Sequence, residues 1–149
     1  MKILLITDSC SDLPLKYTED NNILIMPLTF HFKGVDYQDD FGKSISYKDF
    51  YNELRKGEMS STSQINPSTC EETFRKYVSE GYSLIYIAFS SALSGTYNSA
   101  CIARDTILEE NPSADISIID SKCASLGLGL LVYNACERLK AGESKEAVV

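Results

Sequence analysis

Apolar residues fall in two rhythms along this chain. Ile3 to Ile6 form an unbroken apolar run that stops at Thr7-Asp8-Ser9, the pattern of a parallel strand buried on both faces and ending at the carboxyl edge of a sheet. Ser83 to Phe89 reads the same way, and Asp115 to Ile119, with Ile116, Ile118 and Ile119, gives a third strand ending in the polar Asp120-Ser121. Between these runs the spacing is helical. Phe50, Tyr51 and Leu54 share one face of a helix opened by Ser46 with Asp49 and closed by Lys56-Gly57. Phe74, Tyr77 and Val78 mark a helix over Ser68 to Glu80 that Gly81 stops, and Ala100, Ala103, Ile107 and Leu108 mark another that opens after Ser94-Gly95. From Ala124 to Leu139 the pattern is apolar nearly all round, which predicts a helix covered on more than one side.

Two segments break these rhythms. Ile23 to Phe32 is β-prone apart from Pro27 and Thr29, and with Lys33-Gly34 and Val35-Asp36-Tyr37 it predicts a hairpin, Pro27 marking an edge or a bend. Ser11 or Asp12 as N-cap, with Pro14 near the first helical position, predicts a short helix to about Asn21. Met59 to Pro67 is rich in hydroxyls and predicts a loop. Three buried strands alternating with helices define an α/β protein, a three-layer α/β/α arrangement with a mainly parallel sheet. Residues 1–141 form its domain. Gly142 as a helix stop and Ser144 as a new N-cap make residues 142–149 the start of a second domain or a connecting helix, so the sequence reads as truncated.

Composition narrows the function. The 149 residues are 44% apolar and 23% charged, with only 8 Gly and 4 Pro, which fits one packed domain rather than a disordered chain. Lys and Arg total 14 against 21 Asp and Glu, a formal charge of −7 that repels phosphate backbones and anionic lipid. No nucleic-acid partner is expected, and at most transient membrane contact. Cys10, Cys70, Cys101, Cys123 and Cys136 are odd in number and include no C-x-x-C pair, as expected of reduced thiols. Four apolar residues after Lys2 are too few for a signal-peptide core, so the reading is cytoplasmic.

All three strands end in short polar turns: Asp8-Ser9, Ser90-Ser91 with Ser94-Gly95, and Asp120-Ser121. In an open parallel sheet such turns gather where ligands meet helix N-termini. Unpaired N–H groups around Ser94, Gly95 and Thr96 suit a carboxylate or phosphate, and Gly95 lets an anion approach the backbone; Ser94 can equally serve as a simple N-cap. Thr62, Ser63 and Gln64 offer further hydroxyls and an amide. Leu93-Ser94-Gly95 superficially resembles a nucleophile elbow, but Ala92 and Thr96 stand where G-x-S-x-G needs glycines. The sole histidine, His31, lies in the hairpin, where it serves poorly as a base or as a phosphorylated residue. No spacing suggests a metal site or a nucleotide cofactor. Cys10 beside the turn reads as a small filler, with redox sensitivity as the alternative.

Taken together, Asp8-Ser9-Cys10-Ser11-Asp12-Leu13, Thr62-Ser63-Gln64 before Pro67, Ser90 to Tyr97, and Ile119-Asp120-Ser121 with Ser125 and Gly127-Leu128-Gly129 resemble the DegV family, in order and over nearly the whole chain. A local departure is that Ile65 and Asn66 separate Gln64 from Pro67. The resemblance implies a DegV-like N-terminal domain of a fatty-acid-binding protein. Such a protein holds a long-chain acid such as palmitate, stearate or oleate and presents its carboxyl group to a separate ATP-dependent fatty acid kinase, which makes an acyl phosphate. It implies that Thr62 and Ser94 bind the carboxylate with help from the Gly95 backbone, and that a second domain completes the lipid pocket. Asp8, Ser9 and Ser121 take supporting places by position, and no catalytic residue, cofactor or metal is expected. A serine-dependent hydrolase or acyltransferase using Ser94 is the competing function.

Overall fold

The structure is a computed structural model and describes residues 2–149. Four parallel strands, β1 (Lys2–Asp8), β2 (Leu24–Met26), β6 (Tyr82–Ala88) and β7 (Ile116–Asp120), form the main sheet in the order β2-β1-β6-β7. In β1 and β6 alternate side chains serve opposite faces, which is why both strands read as continuous apolar runs. Leu4, Ile6, Leu84 and Tyr86 pack into one core with Phe74 of α3 (Pro67–Ser79) and Ala100, Ala103 and Ile107 of α4 (Thr96–Glu110). Leu5, Ile85 and Ile87 pack into the other with Leu128 and Val132 of α5 (Leu126–Lys140). The three-layer arrangement follows directly.

A second, antiparallel sheet has the order β4-β3-β5, built from β3 (Thr29–Phe32), β4 (Val35–Gln38) and β5 (Ser60–Ser63). The hairpin is where the pattern predicts it, with Lys33 and Gly34 both at positive φ in its turn. β5 is a correction, since Met59 to Pro67 reads as a loop. Its core, Ser60 to Ser63, carries only hydroxyls and so shows no apolar alternation; the free edge of β3 supplies the ladder instead, pairing Phe30 with Thr62 and Phe32 with Ser60. β2 is an edge strand that ends one residue before Pro27, as that proline requires.

The first helix also differs. α1 (Leu15–Asp20) starts after Pro14, not at Ser11 or Asp12, because Ser9–Ser11 close a 3-10 turn capped by the Asp8 side chain and Asp12 then adopts φ 52°. Ser144 caps α6 (Lys145–Val148), as expected. The Lys145 side chain is buried and donates to the Asp115 carboxylate at 2.5 Å, tying residues 142–149 back to the entry of β7.

Candidate functional site

The carboxyl edge of the main sheet is held by one buried carboxylate. Asp8 is fully buried; it accepts from Cys10 N–H at 3.1 Å through one oxygen, and from Phe89 N–H at 2.8 Å and the Tyr86 hydroxyl at 3.3 Å through the other. Burial pushes its pKa above the ordinary value, and the bonds it accepts work in the opposite direction. Asp8 therefore staples the ends of β1 and β6 together and does not itself line the cleft described below. Ser9 is next to it in sequence and accepts from Leu28 N–H at 3.1 Å, joining the main sheet's edge to the approach of the small sheet. Ser121 is spent on its own turn, accepting from Cys123 N–H at 3.1 Å and donating to the Cys123 carbonyl at 3.3 Å.

Between the two sheets lies a cleft of about 490 Å³. Leu13, Leu28 and Phe30 form its inner wall, and Phe41, Ile45, Tyr47, Phe50 and Tyr51 its outer wall. Ser9, Cys10 and Thr62 contribute polar groups. The outer wall is largely α2 (Tyr47–Arg55), whose N-cap Ser46 accepts from Asp49 N–H at 3.1 Å. No residue of α2 is buried, and Tyr47 and Tyr51 remain 57% and 53% exposed. Phe50 holds the helix down by resting on Phe32 and Phe30, with ring centroids at 4.9 and 5.5 Å, and a Lys33–Glu53 ion pair adds a polar tie. An amphipathic helix whose apolar face is only partly covered, by Phe50 on Phe32 and Phe30, forms one side of a space for an apolar guest.

Asp12, Asp39 and Asp40 also line the cleft. Burial chiefly, then the nearby Asp12 and Asp40 charges, push Asp39 up, against a hydrogen bond from Ser9. Burial, followed by Asp8, Asp39 and Asp12, pushes the Cys10 thiol up to about 12, so it stays protonated and lacks the thiolate that redox chemistry needs.

Thr62 and Ser94 approach the edge from different elements that are stitched together. Thr62 sits exposed on β5 and reaches the cleft. Just beyond that strand, Ile65 N–H donates to the buried Thr96 hydroxyl at 3.2 Å, and Thr96 Oγ1 lies 3.0 Å from Ser94 Oγ. The Gln64 carboxamide lies over Gly95, where a Cβ would stand 2.0 Å from Oε1, and Gln64 Nε2 donates to Ser99 Oγ at 3.4 Å. The close approach permitted by Gly95 is thus used by Gln64, a role the sequence pattern did not suggest. Ser94 and Gly95 stand at the start of α4, outside the cleft lining itself. The other residue missed is Thr96; a buried hydroxyl just after a helix start, T in S-G-T, was its only signal.

His31 bonds the Asp36 carboxylate through Nδ1 and the Ser63 hydroxyl through Nε2 at 2.6 Å, so the sole histidine pairs with Ser63 and not with Ser94. Among the described residues no group of three or more His, Cys, Asp or Glu side chains could hold a metal, and no helix is long and apolar enough to cross a membrane.

These features define a class: a three-layer α/β domain whose sheet edge opens into an aromatic-walled cleft with hydroxyls at its polar end. Residues 2–149 match the family described as uncharacterised protein, DegV family. A DegV domain-containing protein of Clostridium perfringens is 46% identical over 147 residues, covering 99% of this chain and 50% of that protein. Among solved structures, a fatty-acid-binding DegV family protein of Thermus thermophilus is 32% identical with a TM-score of 0.86, over 99% of this chain and 51% of that one. A stearic acid-binding protein of Eubacterium ventriosum is 31% identical with a TM-score of 0.87, over 99% and 50%. This chain belongs to the DegV family. It spans about half the length of the curated relatives it matches.

Proposed function

We propose that this chain contributes one half of a fatty-acid-binding protein, with the acyl chain in the cleft under α2 and the carboxylate held by Thr62 and Ser94 beside the Gly95 backbone. The observation that supports this reading is the seam between β5 and α4, where Ile65, three residues past the cleft-lining Thr62, bonds Thr96 and Thr96 in turn bonds Ser94, beside a largely apolar cleft of about 490 Å³, within the range of small-molecule sites. Relatives of the same fold are described as binding stearic acid and other fatty acids. Residues 1–141 form the domain, and residues 142–149 lead toward a second half that closes the pocket. Each buried CH₂ adds about 0.8 kcal/mol, so affinity rests on that closure. The bound carboxyl group is presented to a separate ATP-dependent kinase, which converts it to an acyl phosphate in the cytoplasm.

The test is mass spectrometry of an organic extract of the full-length protein. A stoichiometric C16 or C18 acid, lost in Thr62→Ala and in Ser94→Ala, is the expected result; absence of any acid from the wild type overturns the reading. Addition of ATP and the kinase to the loaded protein is expected to yield a hydroxylamine-trappable acyl group. Fluorophosphonate labelling of Ser94 would instead favour the hydrolase. Against that outcome stands the Ser94 hydroxyl's bond to Thr96 in place of a histidine.

A further inference from the structure

A hydroxyl has one proton to give and two lone pairs to receive with. At the start of α4 this arithmetic fixes which way the protons run. Thr96 is fully buried, and its hydroxyl oxygen has two partners, Ile65 N–H at 3.2 Å and Ser94 Oγ at 3.0 Å. The amide can only donate, so Thr96 Oγ1 accepts from Ile65. Its own buried proton needs an acceptor, because an unsatisfied buried donor is costly, and Ser94 Oγ is the acceptor in reach. Ser94 Oγ also accepts from Thr96 N–H at 3.2 Å. Both lone pairs of Ser94 are then occupied by Thr96, and its remaining capacity is to donate one proton outward.

We propose that Thr96 is a positioning residue that makes Ser94 an obligate hydrogen-bond donor, so that the site selects a head group able only to accept, the ionised carboxylate, over an isosteric primary amide. This rests on the fatty-acid reading above. The relay runs from Ile65 N–H through the Thr96 and Ser94 hydroxyls to the ligand, and each bond polarises the next in the direction that favours an anion. It gives this half of the protein a means of recognising a carboxylate without a cation. Gln64 and Ile65, the residues just after β5, hold their end of the relay against α4, Gln64 over Gly95 and Ile65 on the Thr96 hydroxyl. An amide N–H placed at Ser94 finds no free lone pair there.

The experiment measures the affinity of the full-length protein for hexadecanoic acid and for hexadecanamide, in the wild type and in Thr96→Val, which keeps the shape and removes the hydroxyl. Palmitate binding is expected to fall about tenfold, in line with a weakened bond to a charged group, while the amide holds or improves because Ser94 regains a lone pair. Thr96→Ser is expected to restore the preference. Equal losses for both ligands, or no loss for either, overturn the proposal and leave the fatty-acid reading standing. A wild type that binds both ligands without preference overturns the proposal alone, and one that binds neither overturns the fatty-acid reading and the proposal with it. Should the valine variant not fold, Thr96→Cys supplies a weak donor of similar size, and an acid-to-amide preference equal to the wild type's would count against the relay.

Discussion

The two sheets of this protein are built to different rules. The main sheet is sandwiched between α3 and α4 on one side and α5 on the other, and Leu84, Ile85 and Tyr86 in β6 are fully buried. The small sheet carries α2 against one face and little else; α2 has no buried residue. The difference separates two tasks. The main sheet holds Asp8, Ser9 and the start of α4 at fixed positions, while the small sheet and α2 enclose a volume whose apolar lining is satisfied only in part by the protein itself. Rigid positioning of polar groups and an adaptable apolar wall are both needed for a guest with one charged end and a long greasy one.

Breaking the main sheet should have the largest effect. Phe74→Ala, in the core between α3 and the sheet, is expected to cost about 3–5 kcal/mol in denaturant unfolding. Phe50→Ala on α2 should cost less than about 2 kcal/mol, since Phe50 is only half-buried, yet it should weaken acyl-chain binding. Equal stability losses for the two would erase the distinction between the sheets.

Next comes the staple at the sheet's edge. Asp8→Asn keeps the shape but turns an NH₂ toward either Cys10 N–H or Phe89 N–H, and is expected to cost about 1–3 kcal/mol. The same variant should change the pH profile in a defined sense. Because burial raises the Asp8 pKa in the folded protein, its contribution is greatest below the unfolded value and declines as pH rises from there through the folded one. Urea midpoints across the acid range should therefore show that decline in the wild type and lose it in Asp8→Asn.

The Lys145–Asp115 tie should show the opposite sign. Burial raises the Asp115 pKa, but bonds from Lys145 and Ser83 outweigh it and hold the carboxyl below its usual range. Its contribution is present above the unfolded aspartate value and is lost as pH falls through the folded one. Lys145→Met should flatten that acid limb, and an unchanged limb would remove the tie from the account.

The smallest effect is expected in the cleft. Asp39 adds negative charge to a volume assigned to an anionic guest, so Asp39→Asn should tighten palmitate binding severalfold at neutral pH, less in high salt. Weaker binding would mean that the carboxyl of Asp39 contacts the ligand as an acceptor and that the acid enters protonated.

Much of this was legible in the residues. Continuous apolar runs at Ile3 to Ile6 and Ser83 to Phe89 can be buried only on both faces, and that requirement alone specifies a parallel sheet between helix layers. Gly57, Gly81 and Gly142 stop helices or turns with φ of 100°, 83° and 87°, as their positions after helical runs predict. The polar turns at Asp8-Ser9 and Ser94-Gly95 likewise marked the carboxyl edge of the main sheet, where the site is proposed. What local pattern could not convey was β5, because a strand made of Ser and Thr owes its existence to the open edge of β3, a partner about thirty residues away.

Nor could sequence say how the hydroxyls and glycine at that edge divide their roles. Ser9, Thr62, Ser94, Thr96 and Ser121 are chemically alike, and all but Thr96 read from the sequence as candidate contacts. Three-dimensional neighbours sorted them: Cys123 closes Ser121 into a turn, Leu28 takes a lone pair of Ser9, Ile65 fixes the direction of Thr96, and Thr62 is left facing the cleft. Residue type decides what a hydroxyl can donate or accept, and that is a local property. Which of those capacities remains free for a ligand depends on what the rest of the fold has already used, and only the packed chain decides it.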